Sequence, residues 1–190
     1  VNKPNLRKIY LKRQRLFSEI EHFKSSREIA DLFFLQEFLD EVSRLHCFLP
    51  IRRNNEIDTY QILERIWREF PQIETFVPRV NVETNEIENL RFTQGMELAL
   101  SDWQIHEPSH NETIASNEID LVIVPLLAFD ERGYRVGYGR GFYDRFLAQC
   151  RPDAQKIGLS YFPPVERIDD VNEFDIKLDS CVTPGKVWRF

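Results

Sequence analysis

Apolar and polar positions recur along this chain with two periods, and the places where the period changes mark its elements. Leu6, Ile9, Tyr10, Leu16 and Phe17 fall at helical spacing and predict a first helix with one apolar stripe. Ser25 and Glu28 have the spacing of a capping box and predict a second helix carrying Ile29, Leu32 and Phe33, with Leu35 and Phe38 further on. Leu45 to Leu49 reads as a strand stopped by Pro50. Asp58 or Thr59 is placed to cap a third helix that buries Ile62, Leu63, Ile66, Trp67 and Phe70, with Pro71 ending it. Ile73 to Val77 is a second strand, and Glu86 to Phe92 a short edge strand whose apolar residues do not alternate cleanly. Val122 to Phe129 is continuously apolar over strand length, the pattern of a strand buried on both faces. Asp130 to Gly133 carries turn chemistry, and Phe142, Phe146 and Cys150 then resume helical spacing. Lys156 to Tyr161 and Ser180 to Val182 complete the strands, while Ser101 to Asn117 is the longest irregular stretch.

Strands alternating with helices predict an α/β fold: a mostly parallel sheet with helices on both faces, in a single three-layer domain over residues 1–190. A length of 190 residues with 42% apolar content and 15 Phe supports one substantial core. A net charge of −6 argues against a nucleic-acid partner, which would need broad positive surface. No apolar run approaches the roughly 20 residues of a membrane span, and no signal-peptide pattern opens the chain. Cys47, Cys150 and Cys181 lie in or beside apolar segments, as buried reduced thiols do. A cytoplasmic monomer without membrane association is therefore expected. His106-Glu107-Pro108-Ser109-His110 spells the zinc-peptidase string H-E-x-x-H, but Pro108 opposes the helix on which that chemistry depends.

The chemistry concentrates between the buried run and the following helix. Gly137, Gly139 and Gly141 alternate there, in neither the dinucleotide nor the P-loop pattern, and by themselves they suit a flexible connection equally well. Arg132, Arg135, Arg140 and Arg145 face the single acid Asp144 in the same stretch of an acidic chain. Bare backbone amides at a helix start, together with guanidinium groups, form a site for a phosphate-bearing ligand.

The segment Val124-Pro125, Ala128-Phe129-Asp130, Gly133 and Arg135 to Arg145 resembles the signature of the 5-formyltetrahydrofolate cyclo-ligase family. Lys3 to Arg7, Phe48-Leu49 with Glu56 to Thr59, Trp103 to Pro108, and Phe174-Asp175 through Thr183-Pro184 resemble flanking family segments. Three departures stand out: Leu127 replaces a usual Gly, Arg52 to Asn55 are extra, and Phe142 replaces a usual Tyr.

The resemblance implies ATP-dependent closure of 5-formyltetrahydrofolate to 5,10-methenyltetrahydrofolate with Mg²⁺, giving ADP and phosphate. It implies that the ATP phosphates lie on Arg135, Val136, Gly137, Tyr138, Gly139, Arg140, Gly141, Phe142 and Tyr143, joined by Lys3 and Arg7. Arg140, with Arg135 second, would stabilise charge on the transferring phosphoryl group, and Asp144 and Asp175 would hold Mg²⁺. The folate would contact Leu49, Glu56, Trp103 and the stretch Tyr138, Gly139, Arg140, Gly141 and Phe142. Each position also has a plainer reading. Lys3 and Arg7 fit the solvated face of a helix, Arg140 an exposed helix-start charge, and Asp144 a complement to the helix dipole. Glu56 fits a surface residue ahead of a helix, and Trp103 a core aromatic. A non-catalytic nucleotide- or folate-binding protein of the same fold is the competing reading.

Overall fold

The structure is a computed structural model that describes residues 1–81, 83–100, 106–109 and 112–190, so Trp103 and His110 lie outside the described residues. In chain order it runs α1 (Lys3–Arg15), α2 (Glu19–Phe34), β1 (Arg44–Cys47), α3 (Tyr60–Glu69), β2 (Glu74–Asn81), β3 (Glu86–Arg91), β4 (Leu98–Leu100), β5 (His106–Pro108), β6 (Thr113–Ile114), β7 (Leu121–Pro125), β8 (Ala128–Phe129), β9 (Arg135–Val136), α4 (Phe142–Gln149), β10 (Gln155–Leu159), β11 (Ser180–Thr183) and β12 (Lys186–Arg189).

Among the described residues the main sheet has the order β12-β11-β10-β7-β1-β2-β3-β6. Neighbours from β11 through β10, β7 and β1 to β2 are parallel, and β12, β3 and β6 add antiparallel edges. The alternation of side chains across the sheet explains the layers. Leu45, Cys47, Leu121 and Ile123 turn to one face and pack with Leu6 and Tyr10 of α1, Ile29 and Phe33 of α2, and Ile62 and Ile66 of α3. Phe76, Val122 and Val124 turn to the other face, against Phe146 and Leu147 of α4. Burying both faces is what makes β7 apolar at every position from Leu121 to Val124. The expected α/β sheet with helices on both faces is therefore present. All three cysteines are buried free thiols.

Several predicted boundaries move. The helix cap is the pair Ser18 and Glu21, not Ser25 and Glu28: the Ser18 Oγ accepts from the Glu21 amide at 3.3 Å, and the Glu21 carboxylate accepts from the Ser18 amide at 2.9 Å. Both pairs have the right spacing, but only Ser18 follows the end of α1. Leu35 lies past α2 and is 78% exposed. Thr59 caps nothing with its side chain, because its hydroxyl donates to the Phe48 carbonyl at 2.6 Å. β1 stops at Cys47, which sends Phe48 and Leu49 beyond the sheet. The run from Val122 to Phe129 is not one strand: β7 ends at Pro125, and residues 128–129 pair instead with β9. The stretch predicted to be irregular contains β5 and β6. The H-E-x-x-H string begins on β5, an extended segment that cannot present the string as a helix would.

Candidate active site

A cleft of about 1020 Å³ opens beyond the carboxyl ends of β1 and β7. Ligands on open parallel sheets bind at that end. Leu49 and Glu56 form one wall, and the start of α1 forms another with Lys3 and Arg7. The loop from Gly137 to Gly141 and the first turn of α4 form the floor, and residues 172–176 close the far side.

The loop is shaped by close approach. Gly139 has φ +95°, and a Cβ there would sit 2.9 Å from the Arg7 guanidinium carbon. Arg7 in turn donates from Nε to the Gly137 carbonyl at 2.9 Å, so α1 holds the loop in place. Gly141, at φ +68°, precedes α4 without any side-chain cap. The first intrahelical bond is made by the Arg145 amide, 3.2 Å from the Gly141 carbonyl, which leaves the amides of the cleft-lining residues 142–144 without an intrahelical partner.

Two ion pairs staple the far wall. Arg135 is 7% exposed; its guanidinium donates to Asp144 Oδ1 at 2.8 Å and to the Ile176 carbonyl. Burial pulls the Arg135 pKa down, and the adjacent Asp144 opposes that shift. Asp144 Oδ1 also accepts from the Ile176 amide at 3.2 Å, while its Oδ2 has no hydrogen bond among the described residues. Lys3 Nζ meets both oxygens of Asp175 at 2.6 and 2.5 Å, and the Asn172 amide reaches one of them at 2.7 Å.

At the opposite end Glu56 is buried, with Oε2 accepting from the Ile51 amide at 2.6 Å. Burial raises its carboxyl to about 7, the Ile51 bond only partly countering that. Tyr138 lies alongside, and its buried hydroxyl makes no hydrogen bond of good geometry. Burial and the neighbouring Glu56 together push that hydroxyl's pKa up. A carboxyl poised near neutrality beside an orphaned hydroxyl suits a ring that carries several donors and acceptors.

A model of the 5-formyltetrahydrofolate cyclo-ligase family matches residues 1–184. The chain belongs to the 5-formyltetrahydrofolate cyclo-ligase family. The 5-formyltetrahydrofolate cyclo-ligase of Escherichia coli K12 is 32% identical over 141 residues, covering 72% of this chain and 76% of that protein. The mouse (Mus musculus) protein of the same name is 27% identical over 191 residues, covering 95% and 92%. Among solved structures, the 5,10-methenyltetrahydrofolate synthetase of Aquifex aeolicus superposes with a TM-score of 0.83 at 29% identity, covering 98% of this chain and 92% of that one.

In this cyclo-ligase the cleft brings together Lys3, Arg7, Leu49, Glu56, Arg135, Gly137 to Tyr143, Asp144 and Asp175. Val136 is not among them: its side chain is 1% exposed and belongs to the core. Sequence reasoning missed Arg53 and Phe174 on the rim. It also missed a buried polar chain beneath the floor. His46 Nδ1 lies 2.7 Å from Asn89 Oδ1, and His46 Nε2 lies 3.2 Å from the Tyr143 hydroxyl. A lone His inside the apolar run Leu45 to Leu49 was the only available signal.

Proposed function

We propose that this cyclo-ligase catalyses the ATP- and Mg²⁺-dependent closure of 5-formyltetrahydrofolate to 5,10-methenyltetrahydrofolate, ADP and phosphate. The observation that carries the proposal is the cleft itself. It places bare amides and cations suited to phosphate in the same cavity as Glu56, which suits a pterin.

An amide-like formyl oxygen is a poor leaving group. It therefore attacks the γ-phosphoryl group of ATP and becomes a phosphate ester, with ADP departing. The anilino nitrogen then attacks the activated carbon and loses its proton, and the ester oxygen leaves as phosphate. Such transfers ask the protein for positioning and for positive charge around the transferring oxygens. The amides of residues 142–144 and the guanidinium of Arg7 supply the cradle, and the exposed Arg140 lines the same cleft. Lys3, held on Asp175 by two of its N–H groups, has a third to offer them. Arg135 works from behind, by aiming Asp144 and holding Ile176.

The donor set fits a hard divalent ion, which takes one or two carboxylates plus phosphate oxygens. Asp144 offers Oδ2 directly, and Asp175 offers an oxygen once Lys3 moves. Mg²⁺ held there would neutralise charge on the phosphates. Glu56, as the carboxylate, faces the paired N–H donors of the pterin.

The test is absorbance in the near-ultraviolet band of the methenyl product, with 5-formyltetrahydrofolate, ATP and Mg²⁺ present. Product that depends on ATP, with stoichiometric ADP, is expected. Folded protein that binds both ligands and releases no ADP would establish the competing, non-catalytic reading.

A further inference from the structure

The polar chain under the cleft floor has a fixed direction. Asn89 Nδ2 faces the Ile114 carbonyl at 3.4 Å and the Ser116 hydroxyl at 3.4 Å. A carbonyl only accepts, so the amide nitrogen of Asn89 must point that way and its Oδ1 must point to His46. His46 Nδ1 therefore carries the proton it donates to Oδ1 at 2.7 Å, and in the neutral ring Nε2 is left with a lone pair. Burial holds His46 neutral, lowering it to about 4. The Tyr143 hydroxyl, 3.2 Å away, must donate to that lone pair. Its proton is thus committed inward. Tyr143 is one of the residues lining the cleft, and acceptor capacity is all that its hydroxyl has left to offer a ligand.

An acceptor of this kind repels a phosphate oxygen and attracts an N–H or O–H. We infer that His46, oriented by Asn89, sets the Tyr143 hydroxyl as a hydrogen-bond acceptor for an N–H donor of the folate substrate, leaving only the backbone amide of Tyr143 to the nucleotide phosphates. This rests on the proposed cyclo-ligase reaction. It makes Tyr143 a substrate-contacting residue and His46 and Asn89 positioning residues. The ring contacts fit such a purpose: His46 lies 4.6 Å from the Phe146 ring and 5.8 Å from the Tyr143 ring, centroid to centroid, so neither ring can turn without disturbing the other.

The test combines a double-mutant cycle with a spectrum. Tyr143→Phe should raise the folate KM about 10-fold, the value of one hydrogen bond, and leave the ATP KM within about twofold. His46→Leu should do the same, and the double variant should be no worse than either single one. His46→Gln, whose amide carbonyl can take the same proton, should restore the folate KM to within about threefold. Multiplying effects, an ATP KM that rises with the folate KM, or unchanged kinetics in His46→Leu would each overturn the assignment. A long-range ¹H–¹⁵N spectrum of the wild-type protein, with His46 assigned by its loss in His46→Gln, keeps the idea testable if His46→Leu does not fold. Protonated Nδ1 with bare Nε2 is expected, and the reverse tautomer would sink the proposal. Because that spectrum needs no turnover, it stands or falls separately from the cyclo-ligase reaction.

Discussion

Glu56→Gln should stabilise the ligand-free protein in a way that grows with pH. Burial moves the carboxyl from 4.5 to about 7. At 1.36 kcal/mol per pH unit, that displacement is a penalty of about 3 kcal/mol for ionising Glu56 in the folded state. Gln has nearly the same volume, and its carbonyl can still accept from the Ile51 amide, so the substitution removes the charge and little else. Below pH 4.5 the carboxyl is protonated in both states and costs nothing. Between 4.5 and 7 the folded chain keeps a proton that the unfolded chain releases, so the wild-type protein loses stability as pH rises, and the loss levels off above 7. His46, lowered to about 4, imposes the opposite slope as pH falls below 6.5, but it is present in both proteins and cancels in their difference. Urea unfolding of both proteins at intervals from pH 5.5 to 8 is the assay. The advantage of Glu56→Gln should widen by about 2 kcal/mol between pH 5.5 and 8, most of it below pH 7. A difference that stays flat across the range would show that Glu56 titrates like a solvated carboxylate, and the argument from burial would fail. The same variant should bind folate more weakly at pH 8, where the charge it lacks is the one proposed to face the pterin.

Arg140→Ala should lower turnover at least ~10-fold with an unchanged melting temperature, as loss of charge stabilisation in the transition state does; normal turnover would remove Arg140 from that role. Gly139→Ala forces a side chain onto φ +95° and against the Arg7 guanidinium, so ADP affinity measured by calorimetry should fall about 10-fold, and unaltered affinity would show that the loop does not hold phosphate. Asp144→Asn strips the counter-charge from buried Arg135 and should cost about 3 kcal/mol in urea unfolding. In that variant half-maximal turnover should also require about 10-fold more Mg²⁺, and a Mg²⁺ titration matching the wild type would take Asp144 out of the metal site.

The glycine- and arginine-bearing floor was legible in the sequence because its parts are neighbours in the chain: a buried strand, a loop and a helix start within residues 121–147. The layers were legible for a similar reason, since the periodicity of Ile62, Leu63 and Ile66 is local. What escaped notice depends on register between distant elements. His46 and Asn89 belong to strands with β2 between them, and no local pattern in either segment announces the other. Glu56 reads as a folate contact through the resemblance alone, since its neighbours Asn55 and Asp58 fit a surface residue equally well; its burial follows from the turn at Arg52–Asn54, which Gln14 and Arg15 of α1 fasten through Asn54. Arg135 reads as a phosphate contact and second catalytic cation, and its pairing with Asp144 nine residues on was not legible because it crosses the loop. Ser25 and Ser18 were equally good caps by spacing, and only the position of the preceding helix end separates them.

The Lys3–Asp175 contact joins positions 172 residues apart, and the Lys3 amide reaches Asp170 as well, at 2.7 Å. A ribosome-bound chain lacking residues 170–175 has therefore not yet closed the far side of the cleft, whatever local helices it has made. With ATP bound as proposed, only molecules that have closed this wall should gain from it, and ATP would draw completed molecules over to the native side by mass action.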